Sequence, residues 1–132
     1  MRCSLVVKTI KASQLDKELQ DMLSTYVTDF SRGLEKVKKQ EARETIKEVR
    51  TNVASQGLIK TGAYQKGWGY STQGSSIFIR NRNRYQLTHL LEKGHAKRGG
   101  GRVRAYPHIA PAEKNMIERY TKKVERLAKD EV

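Results

Sequence analysis

From Ser13 to Gln56 the chain has no proline, and apolar side chains recur along it at close to helical spacing. They are Leu15, Leu19, Met22 and Leu23, Tyr26, Phe30, Leu34, Val37, then Thr45 and Ile46, Val49 and Val53. Such a stripe predicts a long amphipathic helix. Ser13, followed by Gln14-Leu15-Asp16-Lys17, reads as its N-cap with an acidic first turn, and Gly57 as its stop. At ~1.5 Å per residue a continuous helix over 13–55 is on the order of 60 Å long. A chain of 132 residues makes one ordinary domain, which cannot cover a helix of that length. Either the helix breaks near Ser31-Arg32-Gly33, where glycine weakens it, or one end packs on another subunit.

Beyond Gly57 the chemistry changes. Gly62, Gly67, Gly69 and Gly74 punctuate a segment rich in aromatic, Ser and Thr residues. Tyr64, Trp68 and Tyr70 fall at even spacing, and Ile77 and Ile79 alternate with Phe78 and Arg80. This predicts a hairpin of strands 64–72 and 76–82 turning at Gln73-Gly74-Ser75. Arg84 to Lys93 carries a short helical pattern closed by Gly94. Lys97 to Gly101 has no side chain suited to a core and reads as a mobile loop, and Val103–Tyr106 reads as a third strand ended by Pro107. Pro111 suits the first turn of a last helix, with Ile117, Tyr120, Val124 and Leu127 on one face and an end near residue 129. The expected fold is α+β in a single domain over 1–132. A helical arm (13–56) leads into sheet, short helix and basic loop (57–108), and then a C-terminal helix (109–132).

Charge narrows the choice of partners. The formal net charge is +13, and it is concentrated in the middle of the chain. Residues 57–108 hold ten Lys and Arg against the single acid Glu92, whereas the flanks are near balance, eleven against eight over 1–56 and six against five over 109–132. A polyanionic neighbour is the natural expectation. The lone Cys3 rules out an internal disulfide and points to a reducing compartment. Leu5-Val6-Val7 is followed too soon by Lys8 and Lys11 for a signal-peptide core, and no run reaches the roughly 20 apolar residues of a membrane span. The chain therefore reads as soluble and intracellular, with no membrane partner.

Three kinds of chemistry can be tested against the residues. His89 and Glu92, three apart on a helix, share a face and with Arg98 or Arg102 have the groups of a metal-free ribonuclease. No second His/Glu constellation and no nucleophile motif supports catalysis. The spacings His89 to His95 and His95 to His108 match no metal-ligand pattern, so no metal or other cofactor is expected; His108 reads as a packed or capping residue. Arg98-Gly-Gly-Gly-Arg102 lacks the Lys-Ser/Thr ending of a P-loop. The basic set Arg80, Arg82, Arg84, Lys93, Lys97, Arg98, Arg102 and Arg104 is the strongest signal. If the strand continues, Arg80, Arg82 and Arg84 project to one face as a comb suited to a phosphate backbone, with Tyr85 and Tyr106 placed to stack on bases.

The stretch Asn81-Arg-Asn-Arg-Tyr-Gln-Leu-Thr-His-Leu-Leu-Glu-Lys-Gly-His-Ala, its Gly-rich basic continuation and Pro107-His-Ile-Ala-Pro-Ala together resemble a known signature. It is that of the small neck or tail-component proteins of long-tailed bacteriophages and prophages, especially of Gram-positive hosts. The matching positions are Thr61, Gly62, Tyr85, His89, Leu91, Glu92, Gly94, His95, Pro107, His108 and Pro111. The likeness spans about residues 42–120 and is specific over 81–112. Gly57-Leu-Ile-Lys60 departs from the family's helix exit, and the N-terminal half carries no matching motif. The resemblance implies a structural protein, not an enzyme: a homo-oligomeric ring subunit at the head-to-tail junction that completes the connector or tail. Its partners would be neighbouring connector and tail proteins, with non-specific contact to packaged DNA. Its place would be the virion, and the host cytoplasm during assembly. The alternatives are a sequence-independent nucleic-acid-binding protein and, behind it, the small ribonuclease.

Overall fold

The structure is a computed structural model, described over residues 11–58 and 61–129. Readings that fall on residues 1–10, including Cys3 and Leu5-Val6-Val7, and on Ile59 and Lys60 lie outside the described residues. The element order is α1 (Leu15–Ser55), α2 (Ala63–Lys66), β1 (Trp68–Gln73), β2 (Ser76–Asn81), α3 (Leu87–Lys93), β3 (His95–Ala96), β4 (Arg102–Val103) and α4 (Ala110–Ala128). This is the α+β arrangement expected: a long N-terminal helix, a small antiparallel sheet with short helices, and a C-terminal helix.

α1 runs unbroken for 41 residues, preceded by a 3-10 turn at Ala12–Gln14. One expectation is thereby corrected and one open alternative decided. Ser13 lies inside the 3-10 turn, and Gln14, at the N-cap, makes no side-chain capping bond. Gly33 does not break the helix, because one glycine costs a helix only about 1 kcal/mol. Its role is steric, since a Cβ there would lie 2.4 Å from Leu127 Cδ1, so the missing side chain lets α4 approach. α4 lies antiparallel along α1. The Tyr26 hydroxyl donates to Ala128 O (2.8 Å) at one end, and Asn52 Nδ2 donates to His108 O (3.0 Å) at the other. Between them, Glu41 is held by Arg119 (2.9 Å) and Lys123 (2.6 Å), and Glu48 by Arg119 (3.3 Å).

The core sits over the C-terminal half of α1. Ile46, Val49 and Val53 pack with Tyr64, Trp68 and Ala112, flanked by Leu58, Tyr70, Ile79, Leu91 and Ile109. Burial of side chains of this size stabilises by about 1.5–3 kcal/mol each. Toward its N-terminal end, among the described residues, the stripe has no such cover. Leu15 and Leu19 are each 48% exposed, Met22 66%, Leu23 64% and Val27 58%.

The hairpin forms with Gly74-Ser75 as its two-residue turn and the register Trp68↔Asn81 to Gln73↔Ser76. Ile77, Ile79 and Asn81 face inward, while Phe78 and Arg80 face out. Lys38 Nζ donates to Ser75 O (2.7 Å) and Arg50 Nη2 to Trp68 O (2.8 Å), which tie the hairpin to α1. The first strand starts later than its aromatic spacing suggested. Tyr64 belongs to the helical turn α2, closed by Lys66 N→Gly62 O and Gly67 N→Ala63 O, both 2.9 Å. The spacing of Tyr64 and Trp68 fits one turn of helix as well as two pleats.

The third strand is also corrected. Only Arg102–Val103 is extended and paired, and its partner is His95–Ala96, not the hairpin. The glycine triplet makes the turn of this second ribbon, closed by Lys97 N→Gly101 O (2.9 Å) and Gly100 N→Lys97 O (3.2 Å), so the expected loose loop is a hydrogen-bonded turn. Tyr106 N then donates to Leu91 O (2.7 Å), drawing the chain back onto α3 before Pro107.

Candidate interaction surface

Glu92, Gly94, Pro107, His108 and Pro111, among the residues that carry the resemblance, meet at one joint between α3 and α4. Ile109, at the N-cap of α4, has no side-chain capping bond of its own. Glu92, seventeen residues upstream, supplies one: its carboxylate accepts from the backbone N–H of His108 (2.9 Å), Ile109 (3.0 Å) and Ala110 (2.9 Å). Donors at a helix start are otherwise unsatisfied, and a negative charge there also favours the helix dipole. Burial alone would raise the carboxyl's pKa. The three backbone donors, with His108 beside it, outweigh that and hold it below its ordinary value of 4.5.

His108 is fully buried. Its Nδ1 lies 2.7 Å from Tyr106 O and 3.2 Å from Glu92 Oε2, and its Nε2 lies 2.6 Å from the Tyr64 hydroxyl. A carbonyl only accepts, so Nδ1 carries a hydrogen and, in the neutral ring, Nε2 accepts from Tyr64. Tyr64, Trp68 and His108 also meet edge to face, with centroids 5.6–6.2 Å apart. Asn81, likewise buried, donates to Tyr64 O (2.6 Å) and accepts from the N–H of Asn83 (3.1 Å) and Arg84 (2.8 Å). This side-chain turn ends β2. Gly94 closes α3 with φ 74° and ψ 178°, and a Cβ there would meet Val103 O at 2.4 Å. Thr61 accepts from Ala63 N (3.3 Å) ahead of α2, Gln56 Nε2 donates to Pro107 O, and Pro111 sits in the first turn of α4.

The basic residues lie around this joint. Arg80 points out from β2, and Arg82 lies over Gly69 and donates to Tyr70 O (2.7 Å). Arg84 is not the third tooth of a comb, because the Asn81 turn ends the strand first. It instead lines a cleft of about 540 Å³ with His95, Leu91, Val103 and Tyr106. Lys93 ends α3, Lys97 and Arg98 sit on the ribbon turn, Arg102 is on β4, and the Arg104 guanidinium lies 5.4 Å from the Tyr106 ring centroid. Among the described residues none of these eight cations has a carboxylate within 4.0 Å. Tyr85 is 67% exposed beside them.

Both Glu92 oxygens are engaged by α4, and His89 is solvent-exposed. Among the described residues no three His, Cys, Asp or Glu side chains gather where they could hold a metal ion. The sequence reading missed Asn81 and the reach of Glu92. An Asn directly after a strand pattern is the signal that could have found the first; the second spans two elements and has no local signal. No protein-family model, curated protein or solved structure matches this chain.

Proposed function

We propose that the protein is a structural subunit of a tailed phage or prophage particle, acting in a ring at the head-to-tail junction. The observation that carries this reading is what the signature residues do. Glu92, Gly94, Pro107 and His108 are spent on holding α3, the basic ribbon and α4 in one arrangement, and Tyr64 and Asn81 join the same network. What is left at the surface is material for contacts: an over-long helix with an uncovered apolar stripe, and a set of unpaired cations. A ring subunit needs two different surfaces that meet by rotation. A basic surface facing a lumen suits DNA that must slide, because phosphate contacts carry no sequence information.

The test is replacement of Arg98, Arg102 and Arg104 by Ala in the particle. The variant is expected to fold, with an unchanged thermal midpoint, and to leave heads and tails unattached; normal particle yield counts against the reading. Nucleic-acid binding as the main role is the second reading, supported by the unpaired cations and the exposed Tyr85. It requires the isolated chain to bind duplex DNA with an affinity that falls about a thousandfold between roughly 50 and 200 mM salt for ~6 phosphate contacts.

A further inference from the structure

α4 ends at Ala128 beside Tyr26, so residues 15–25 of α1 project past it by about 16 Å. Leu15, Leu19, Met22 and Leu23 on this projection, with Tyr26 and Val27 at its base, are all among the exposed large apolar residues. On the projection Asp16, Glu18 and Asp21 stand against Lys17. The remaining exposed large apolar residues among those described are Phe78, Tyr85, Leu87 and Ile117. Tyr85 and Ile117 line a groove beside the open edge of β2. Two clefts of about 500 and 560 Å³ lie there end to end between β2 and α4, sharing Ile77, Ile79 and Met116. Trp68, whose buried indole N–H has no partner among the described residues, forms part of the lining. Arg80 and Lys38 line the groove, Lys38 with Glu35 beside it (3.4 Å); of the two acids in the lining, Glu41 is paired with Arg119 and Lys123, which leaves Glu113.

We infer that the projecting end of α1 docks in the β2–α4 groove of a second copy of this chain. The arm cannot reach its own groove. Lys38 is bonded to the hairpin tip and lines the groove's end, and Met22 lies about 24 Å further along the same unbroken helix. Pairing of two arms with each other brings like charges together, whereas the groove belongs to the half of the fold with the cationic excess. An amphipathic helix with anchors at Leu15, Leu19 and Met22 is the usual occupant of an apolar groove. The contact is heterologous, so each copy offers an arm to one neighbour and a groove to the other, and the assembly closes as a ring or continues as a filament. Three turns of helix make a small contact, so association is expected to be weak and concentration-dependent. The inference gives the ring reading its subunit contact but stands on the arm and groove alone.

The experiment uses two full-length variants, Leu19→Ser with Met22→Ser on the arm and Arg80→Glu with Ile117→Asp on the groove. Sedimentation velocity at low salt should show association of the wild type and a monomer for each variant alone. An equimolar mixture should give a one-to-one heterodimer and nothing larger, since one intact arm meets one intact groove. A groove variant that still self-associates overturns the inference, because the arms then pair with each other. A mixture that stays monomeric overturns it too. Should the groove variant fold poorly by circular dichroism, the wild type alone decides: Trp68 emission, from the chain's one tryptophan, should shift with concentration as mass rises, and an unchanged spectrum during association overturns the proposal. A wild type that stays monomeric yet joins heads to tails overturns this contact and leaves the neck reading standing.

Discussion

At the scale of single residues, the joint turns buried polar groups into structure. The Glu92 carboxylate does for α4 what a local N-cap would do, and its replacement by Gln leaves fewer acceptors and no charge. Glu92→Gln is expected to cost about 1–3 kcal/mol, read as a lower denaturant midpoint with unchanged slope. Tyr64→Phe leaves His108 Nε2 buried without its donor and is expected to cost about 1–3 kcal/mol. The acid limb of stability has the same origin. Burial raises the Glu41 carboxyl, but Lys123 and Arg119 outweigh it, so Glu41, like Glu92, is held below its ordinary 4.5. A carboxyl depressed in the folded state stabilises fully above its unfolded value and loses that contribution as pH falls through the folded one. The thermal midpoint should therefore be flat down to about pH 5 and fall below about 4.5, and Glu92→Gln should shallow that fall. His108 reads as packed from its setting between Pro107 and Ile109, and it is; the reach of Glu92 across sixteen residues had no local sign.

At the scale of elements, periodicity served well where one helix or strand face meets one core. The long stripe, the turn before Ser76, the α3 pattern closed by Gly94 and the Pro111 start of α4 were legible because each is a local rule. It failed where two local rules fit the same spacing, as at Tyr64, and where strand partners had to be chosen, as for Arg102–Val103. The two glycines that most shape the packing differ in kind. Gly94→Ala combines a conformation close to glycine-only with a clash against backbone, and is expected to cost about 2–3 kcal/mol. Gly33→Ala meets only the end of the Leu127 side chain, which can turn away, and gains about 1 kcal/mol of helix propensity in return. It should lie within about 1 kcal/mol of the wild type. Thermal melts of the two variants side by side check the contrast.

At the scale of the whole molecule, the fold separates a stabilised half from a projecting one. Leu19→Ser with Met22→Ser is expected to leave the monomer's unfolding free energy within about 0.5 kcal/mol of the wild type, since those side chains are exposed there. A larger loss, measured by denaturant unfolding at low protein concentration, would mean that something in the same chain covers the stripe. The sequence by itself determined the class of fold, a first helical stretch longer than one domain can bury, and the concentration of positive charge in the middle third. Each of these is written in composition or in short-range periodicity. The tertiary structure alone decided that the long helix stays whole, with Gly33 as a seat for Leu127, that Glu92 caps a helix it does not belong to, and that the apolar arm and the β2–α4 groove lie too far apart to meet within one chain. Those outcomes depend on which elements come to lie side by side, and no spacing along the chain records that.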